Sequence, residues 1–252
     1  MMKTIKTLGC CDSGIGGLIS VHELHKAYPN LNIVFIADQL NSPYGDKTID
    51  ELNEIAVQIF KKFEEMDVKD VLVACNTLCC NGTEYAKTLF SNMNITTIIE
   101  PTYNQLKKYN FKTINILATE RTVDTHVYKN ALSKMFPNAL IREIKANKIV
   151  PIIENGFDEE LLKKAVKEYC KDDADAWILG CTHYPLIRPY METKGMIFDS
   201  IQPMIELLSD VEIKGEGKVS VYTTKDPEEL RKNINHLLNC DYDTQYIKLK
   251  QS

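Results

Sequence analysis

Apolar runs of strand length alternate with helical patterns along the first half of the chain. The runs with strand character lie at residues 8–11, 33–37 and 71–74. A glycine-rich turn at residues 14–17 and a helical pattern follow the first run, and a second helical pattern fills residues 48–66. Helices that connect successive strands in this way are typical of a parallel sheet. The pattern therefore predicts an α/β fold with helices on both faces of the sheet.

The second half repeats this order of elements. Its strand-like runs lie at residues 112–117, at 140–145 and in the run that ends at Gly180, and its helical patterns cover about 122–135 and 158–170. The segment Lys112-Thr113 mirrors Lys6-Thr7 at an offset of 106 residues. Cys75 and Cys181 are separated by the same offset. Shared order and shared offset predict two similar domains with an approximate twofold relation.

The remaining residues predict a tail that packs back on one of these domains. A helical pattern lies near 203–209 and a strand-like run at 218–223. Asp226-Pro227 then predicts the start of a helix, because Asp is a favoured N-cap and Pro a favoured first helical residue. The predicted domains are residues 1–98 together with 208–252, and residues 99–207.

Composition places the chain among globular proteins with an ordinary core. Its 252 residues are 44% apolar and 26% charged. A net charge of -5 without a basic stripe argues against a nucleic-acid partner. The longest apolar runs are too short to span a bilayer, and Gly9 and Asp12 arrive too early for a secretion signal. We therefore expect a cytoplasmic protein without a membrane partner.

The chain contains eight cysteines, and their spacing does not indicate a metal site. They stand at positions 10, 11, 75, 79, 80, 170, 181 and 240. The adjacent pairs differ from the C-x2-C spacing of zinc ribbons, and a reducing compartment disfavours disulfides. Most of the eight are therefore interpreted as small buried apolar residues.

Two of these cysteines differ from the rest because each directly follows a buried strand. Cys75 lies in Val73-Ala74-Cys75-Asn76 and Cys181 in Leu179-Gly180-Cys181-Thr182. Ligands of open α/β sheets bind beyond the carboxyl ends of the strands. A cysteine at a helix start also feels the positive end of the helix dipole, which favours its thiolate and suits it to carry protons. One thiol from each half suggests a reaction in which one face of a carbon loses a proton and the other face gains one.

Acidic residues and one histidine are candidate assistants to these thiols. Asp12 follows the first strand, and His183 lies two residues beyond Cys181, where it could hold or pass a proton. Asp38 and Glu154 follow strand-like runs and could polarise a neighbouring group.

Polar donors lie beside the two cysteines and suit a carboxylate ligand. Asn76, Thr77 and Thr182 supply amide, hydroxyl and backbone N–H groups. The loop at residues 12–17 is glycine-rich like a phosphate-binding loop, but Ile19 stands where the dinucleotide fingerprint needs its third glycine. Nucleotide binding is therefore disfavoured.

Four motifs in order resemble those of glutamate racemases, which belong to the aspartate/glutamate racemase superfamily. The motifs are Asp12-Ser13-Gly14-Ile15-Gly16-Gly17-Leu18, Pro43-Tyr44-Gly45, Ala74-Cys75-Asn76-Thr77 and Gly180-Cys181-Thr182-His183-Tyr184-Pro185. The resemblance spans nearly the whole chain. It implies a two-base racemase without a cofactor, built from two flavodoxin-like domains with the active site between them. It further implies glutamate as substrate and D-glutamate for peptidoglycan as the use, and it leaves a homodimer possible.

The resemblance also assigns roles to individual residues. The catalytic pair would be Cys75 and Cys181, supported by Asp12, Asp38, Glu154 and His183. The substrate contacts would be Ser13, Tyr44, Gly45, Asn76, Thr77, Thr119, Thr122 and Thr182, together with Asp12 and His183.

The sequence departs from the family pattern at three places. Leu78-Cys79-Cys80 replaces the usual small residues, Ala118 replaces a glycine, and Ala146-Asn147 replaces a Cys-Pro pair. Both thiols are retained, so the departures bear on substrate size and packing more than on reaction type.

Three alternatives to a glutamate racemase stay open at this point. A racemase or isomerase of the same superfamily could act on aspartate or another small acidic substrate. A non-catalytic protein could bind an acidic amino acid without exchanging its α-proton. A metal- or redox-active cysteine protein is the third class, and metal analysis of the purified protein would test it.

Overall fold

Parallel strands form two main sheets in the computed structural model, which describes residues 3–249. The strands in that range are β1 (Lys3–Ile5), β2 (Thr7–Asp12), β3 (Asn32–Ala37), β4 (Asp70–Val73), β5 (Asn94–Thr97), β6 (Thr113–Ala118), β7 (Leu140–Lys145), β8 (Ala176–Gly180), β9 (Met196–Phe198), β10 (Val211–Ile213), β11 (Val219–Thr223) and β12 (Asp243–Tyr246).

The connections between strands are mostly helical. The α-helices of the described range are α1 (Gly16–Ala27), α2 (Ile49–Glu65), α3 (Asn76–Asn81), α4 (Thr83–Leu89), α5 (Ile99–Asn104), α6 (Glu120–Asp124), α7 (Val127–Met135), α8 (Ile149–Glu154), α9 (Glu159–Tyr169), α10 (Ile201–Glu206) and α11 (Pro227–Leu238). Short 3-10 helices occur at Tyr44–Asp46, Gln105–Lys108 and Tyr184–Tyr190.

The two main sheets share one strand order. The first sheet runs β12-β11-β3-β2-β4-β5, and the second sheet runs β7-β6-β8-β9. The order β3-β2-β4-β5 thus recurs as β7-β6-β8-β9, with every pairing parallel. Thr7 and Thr113 begin equivalent strands, as do Asp70 and Ala176, and both pairs are 106 residues apart. The predicted α/β fold with two similar parallel sheets is confirmed.

The tail of the chain joins the first sheet. β11 pairs with β3 and β12 pairs with β11, so the first sheet contains strands from both ends of the described range. The second sheet lies entirely between Thr113 and Phe198. A separate two-stranded sheet forms from β1 and β10. The exact domain boundaries at 98/99 and 207/208 stay a prediction.

The long helix α2 forms for reasons visible in the sequence. Thr48 is its N-cap, and the Thr48 hydroxyl and the Glu51 carboxylate form a reciprocal capping box. Its buried residues recur at the three- and four-residue spacing of one helix face: Leu52, Ile55, Ala56, Ile59, Phe60 and Phe63. The observed helix matches the predicted pattern at 48–66 to within one residue at each end.

The helix predicted over 122–135 is divided into two. α6 ends at Asp124 and α7 begins at Val127, because His126 adopts a left-handed backbone conformation with φ of 52°. The His126 Nδ1 lies 2.7 Å from the Glu143 Oε2, which fixes the ring at this bend. Continuous helical periodicity did not reveal the break.

Within residues 3–249, no helix combines the length and the apolar content that crossing a membrane requires.

Candidate active site

The carboxyl ends of strands from both sheets meet at one cavity of about 60 Å³, which we call the cleft. Cys75 follows β4 of the first sheet and Cys181 follows β8 of the second, and each side chain is 6% exposed. The cleft is lined by Ser13, Pro43, Tyr44, Gly45, Asp46, Cys75, Asn76, Thr77, Thr119, Asn147, Val150, Pro151, Cys181, Thr182 and His183. The structure therefore brings the two predicted thiols to one small site.

Ten of the predicted site residues line the cleft, and four lie behind it. The four are Asp12, Asp38, Thr122 and Glu154, each of which bonds to a lining residue or to a neighbour of one. Five lining residues were not predicted as site residues: Pro43, Asp46, Asn147, Val150 and Pro151. Pro43 and Asp46 stand within or beside the Pro43-Tyr44-Gly45 motif, so proximity to that motif could have identified these two.

The environment of Cys75 favours the neutral thiol. Burial raises the pKa of Cys75 well above its ordinary value, and the nearby Asp12 carboxylate raises it further. A hydrogen bond from the Leu78 N–H lowers this pKa without offsetting the burial. Cys75 is the N-cap of α3, as predicted, but α3 has only six residues. Burial and Asp12 therefore outweigh any stabilisation of the thiolate that this short helix provides.

Cys181 does not begin an α-helix, but its sulfur lies beside the imidazole of His183. The chain after Cys181 continues into the 3-10 helix Tyr184–Tyr190, so no α-helix begins at this cysteine. The Cys181 Sγ lies 3.6 Å from the His183 Nδ1. Burial disfavours a charged imidazole, but Cys181 and Glu154 together raise the pKa of His183 well above its ordinary value. A protonated His183 places positive charge beside the Cys181 sulfur.

Glu154 anchors this histidine. The Glu154 Oε1 lies 2.6 Å from the His183 Nε2 and also accepts a hydrogen bond from the Ile15 N–H at 2.9 Å. Burial acts to raise the pKa of Glu154, but the bonds from His183 and Ile15 outweigh it and hold this pKa below its ordinary value. Glu154 is the last residue of α8 rather than a residue that follows a strand, so its predicted placement is corrected.

Loss of this anchor should reduce stability most in mildly acidic solution. We expect Glu154→Gln to lower the free energy of unfolding by about 2 kcal/mol, as for loss of a charged hydrogen bond. The pKa of Glu154 is lowered in the folded protein, so its contribution to the free energy of unfolding is lost as pH falls through that pKa. The pKa of His183 is raised in the folded protein, so its contribution to the free energy of unfolding is lost as pH rises through that pKa. Urea unfolding should therefore show the largest difference between about pH 4.5 and 6.5.

The matched control for this prediction is Glu168→Gln. Glu168 pairs with Lys148 at the surface, and we expect its loss to leave the unfolding free energy almost unchanged. Equal effects of the two substitutions would contradict the importance assigned to the buried pair.

Asp12 connects the two sheets beside the cleft. Its Oδ2 accepts a hydrogen bond from the Thr182 hydroxyl at 3.0 Å, and its Oδ1 accepts one from the Gly14 N–H at 3.0 Å. Burial raises the pKa of Asp12, although the positive His183 opposes that rise. Asp12 lies near enough to Cys75 to influence the thiol electrostatically. Asp12 is the last residue of β2, so the structure places it at the predicted strand end.

Asp38 lies behind the cleft wall and contacts the lining residue Tyr44. Its Oδ2 accepts a hydrogen bond from the Tyr44 hydroxyl at 2.9 Å, and its Oδ1 accepts one from the Thr224 hydroxyl at 3.0 Å. The Asp38 side chain is buried and does not line the cleft. Asp38 follows β3, as predicted, and the neighbouring group that it contacts is the Tyr44 hydroxyl in the cleft wall, while its supporting role in catalysis stays a prediction.

Hydroxyl and amide groups complete the wall beside Cys75. The Thr77 and Thr119 hydroxyls lie 3.0 Å apart, and the Thr119 hydroxyl donates to the Thr122 hydroxyl at 3.0 Å. The Asn76 Nδ2 donates to the Tyr128 hydroxyl at 2.7 Å. The buried Asn76 Oδ1 has no partner within residues 3–249. A ligand with a donor group could therefore satisfy this oxygen.

The glycine-rich turn allows the two sheets to approach each other. A Cβ atom at Gly16 would overlap the His183 ring and would lie 2.6 Å from the Thr182 Oγ1. A Cβ atom at Gly14 would overlap the Glu154 carboxylate. These glycines therefore make room for side chains of the second half of the chain.

The cleft contains neither lysine nor arginine among its lining residues. A carboxylate bound there would be held by backbone N–H, hydroxyl and amide donors, with charged assistance from His183. Such donors suit a small amino acid whose own ammonium group supplies a positive charge.

Comparison with known proteins identifies a consistent set of relatives. The Asp/Glu/Hydantoin racemase family matches residues 22–208. A glutamate racemase from Clostridium botulinum is 34% identical over 212 residues, which cover 82% of this chain and 81% of the relative. One from a Thermoanaerobacter species is 30% identical over 252 residues, covering 93% and 94%. A glutamate racemase from Francisella tularensis, solved in complex with D-glutamate, superimposes with a TM-score of 0.86 at 25% identity, covering 97% of this chain and 98% of the other.

Proposed function

The chain belongs to the Asp/Glu/Hydantoin racemase family and is an amino-acid racemase, and from this premise we propose that it interconverts L-glutamate and D-glutamate with Cys75 and Cys181 as the two bases. The observation that carries the proposal is the pair of thiols, one from each sheet, that line a single small cleft. The glutamate racemases to which the chain is similar support the choice of substrate.

The proposed reaction moves two protons and needs no cofactor. A thiolate on one face of the substrate removes the α-proton, and the electron pair of the broken C–H bond remains on a planar carbanion. The thiol on the other face then donates its proton to that carbon. Inversion of the stereocentre leaves the first sulfur protonated and the second charged. Two opposed groups are needed because a single base would return the proton to the face from which it came.

The surroundings of the two sulfurs differ. Burial and the Asp12 carboxylate raise the pKa of Cys75, which favours its neutral thiol. The Cys181 sulfur lies 3.6 Å from the His183 Nδ1, and the pKa of His183 is raised well above its ordinary value, so this sulfur has a basic imidazole beside it. In the proposed scheme each sulfur serves the enantiomer whose α-hydrogen faces it, with His183 supporting Cys181 and Asp12 acting on Cys75.

The cleft can stabilise the charge that develops during the reaction. The Asn76 Oδ1 can accept a hydrogen bond from the substrate ammonium, because this oxygen lacks a partner in the described residues. The hydroxyls of Ser13, Thr77 and Thr182 can donate to carboxylate oxygens. Preorganised donors of this kind often supply the largest part of catalysis, particularly where water is excluded. Supply of D-glutamate for peptidoglycan is the proposed use of the product.

Hydrogen exchange in D2O tests the proposal directly. We expect both enantiomers of glutamate to exchange their α-proton for deuterium and to equilibrate, as followed by proton NMR and chiral chromatography. A parallel assay with L- and D-aspartate serves as the comparison. Exchange of aspartate alone would favour the related acidic substrate. Binding of glutamate without exchange would identify a binding protein and overturn the proposal.

A further inference from the structure

Asn147 lies at the mouth of the cleft. It follows β7 by two residues, lines the cleft and is exposed. Its side-chain amide has an acceptor oxygen and a donor NH2 group, so it can bond to a neighbouring residue at two points.

The Asn147 amide bonds to one residue at two points. Its Oδ1 accepts a hydrogen bond from the Glu120 N–H at 3.1 Å, and its Nδ2 donates to the Glu120 Oε2 at 3.0 Å. We call this pairing the rim clip. It satisfies the first backbone N–H of α6, which has no partner within the helix itself.

Lys145 strengthens the rim clip from the solvent side. Its ammonium lies 2.8 Å from the Glu120 Oε1 and 2.8 Å from the Asp124 Oδ1. Hydrogen bonds from Lys145 and Asn147 hold the pKa of Glu120 below its ordinary value, so this carboxylate stays charged. The Glu120 side chain is thereby fixed by a cation and an amide at once.

The rim clip acts on a residue of the cleft wall. Glu120 directly follows Thr119, the N-cap of α6, whose hydroxyl contacts the Thr77 hydroxyl across the cleft. α6 has five residues, and so short a helix is not stable by itself. The position of Thr119 therefore depends on lateral bonds such as the rim clip.

We propose that Asn147 is a positioning residue that sets substrate affinity by holding Thr119 in the cleft wall through Glu120. The proposal rests on the proposed function of this same site. The clip contacts neither sulfur, so it governs binding of the acidic amino acid more than proton transfer.

Steady-state kinetics with glutamate test this role. We expect Asn147→Ala to raise KM about threefold to tenfold, the scale of one or two exposed hydrogen bonds, while kcat changes less than about twofold. Glu120→Ala should have the same effect. The double variant should be no worse than the poorer single variant, because both substitutions break one unit. Glu120→Gln keeps an acceptor for the Asn147 amide, so its KM should stay close to that of the protein without substitutions.

Lys148→Ala is the matched control. It breaks an exposed polar pair on the same loop, with Glu168, but leaves α6 untouched, so KM should not change. Hydrogen exchange gives a readout that does not depend on turnover: the Glu120 amide should exchange faster in Asn147→Ala and at an unchanged rate in Lys148→Ala.

The outcomes separate this inference from the proposed function. If the protein without any substitution does not racemise glutamate, both the proposed function and the proposed role of Asn147 are overturned. Racemisation with an unaltered KM in Asn147→Ala, or single effects that add in the double variant, overturns the role of Asn147 alone. A fall in kcat without a rise in KM would also contradict it.

Discussion

Replacing Cys75 or Cys181 with alanine should lower glutamate racemisation in both directions by at least about 10³-fold. Each substitution removes a positioned proton donor or acceptor, and groups of this kind contribute about 10² to 10⁴ in rate. Chiral chromatography of both reaction directions measures the loss. The remaining sulfur can still exchange the α-proton of the enantiomer that faces it, so residual deuterium uptake without inversion is expected for one enantiomer only.

Serine substitutions and a distant cysteine sharpen this test. Cys75→Ser and Cys181→Ser should also be severe, because a hydroxyl is a much weaker acid than a thiol. Cys170 is half-buried next to α9 and outside the cleft, so Cys170→Ala should retain full activity. Full turnover by any of the alanine variants at Cys75 or Cys181 would contradict the two-base scheme.

Gly16→Ala should reduce kcat/KM by about 100-fold because it displaces His183, which follows the second sheet. The added methyl group would overlap the His183 ring, and that ring cannot retreat without breaking its bond to Glu154. A displacement of about 1 Å at a catalytic group can cost about 10² in rate. Steady-state kinetics measure the loss, and an NMR titration of His183 should show its pKa moving toward the ordinary value.

Ser20→Ala is the control on the same helix. Ser20 is buried in α1, and its hydroxyl has no partner among residues 3–249, so removal of the hydroxyl should leave activity unchanged. Unfolding curves of both variants would show whether Gly16→Ala loses stability as well as activity. Wild-type kinetics in a folded Gly16→Ala variant would show that close approach at this turn is unimportant.

The repeat of strand-like runs was sufficient to predict the parallel sheets. A buried central strand requires a short apolar run, and such runs mark β2, β4, β6 and β8 clearly in the chain. More exposed strands such as β5 and β12 were not predicted, although they are as long as β4. Their burial patterns alternate or stay exposed, so their pairing depends on the edge of a sheet that is already formed.

The position of the thiols could also be predicted, but their charge could not. Cys75 and Cys181 occupy similar local patterns, yet Cys75 is buried beside the acidic Asp12 and Cys181 lies beside a positive His183. Asp12 ends β2, and the pairing of β2 with β4 brings it near Cys75, whereas His183 lies near Cys181 because it is two residues further along the chain. The pKa of His183 is raised by Cys181 and by Glu154, and the contact with Glu154 is not visible in the local sequence. The helix-dipole argument used only local sequence and left out the burial and the Asp12 carboxylate that raise the pKa of Cys75.

The sequence by itself determined the alternation of the central strands with helices, the carboxyl-end placement of two cysteines and the identity of most polar groups around them, because periodicity and motif order are local properties. Only the tertiary structure decided that Glu154 ends a helix and anchors His183, that Asp38 holds Tyr44 from behind, and that the glycines of the first turn admit side chains from the second sheet. The glycine contacts join residues more than 100 positions apart, and the bonds of Glu154 and Asp38 depend on how helices and loops pack at the carboxyl ends of the strands, so local periodicity encodes none of them.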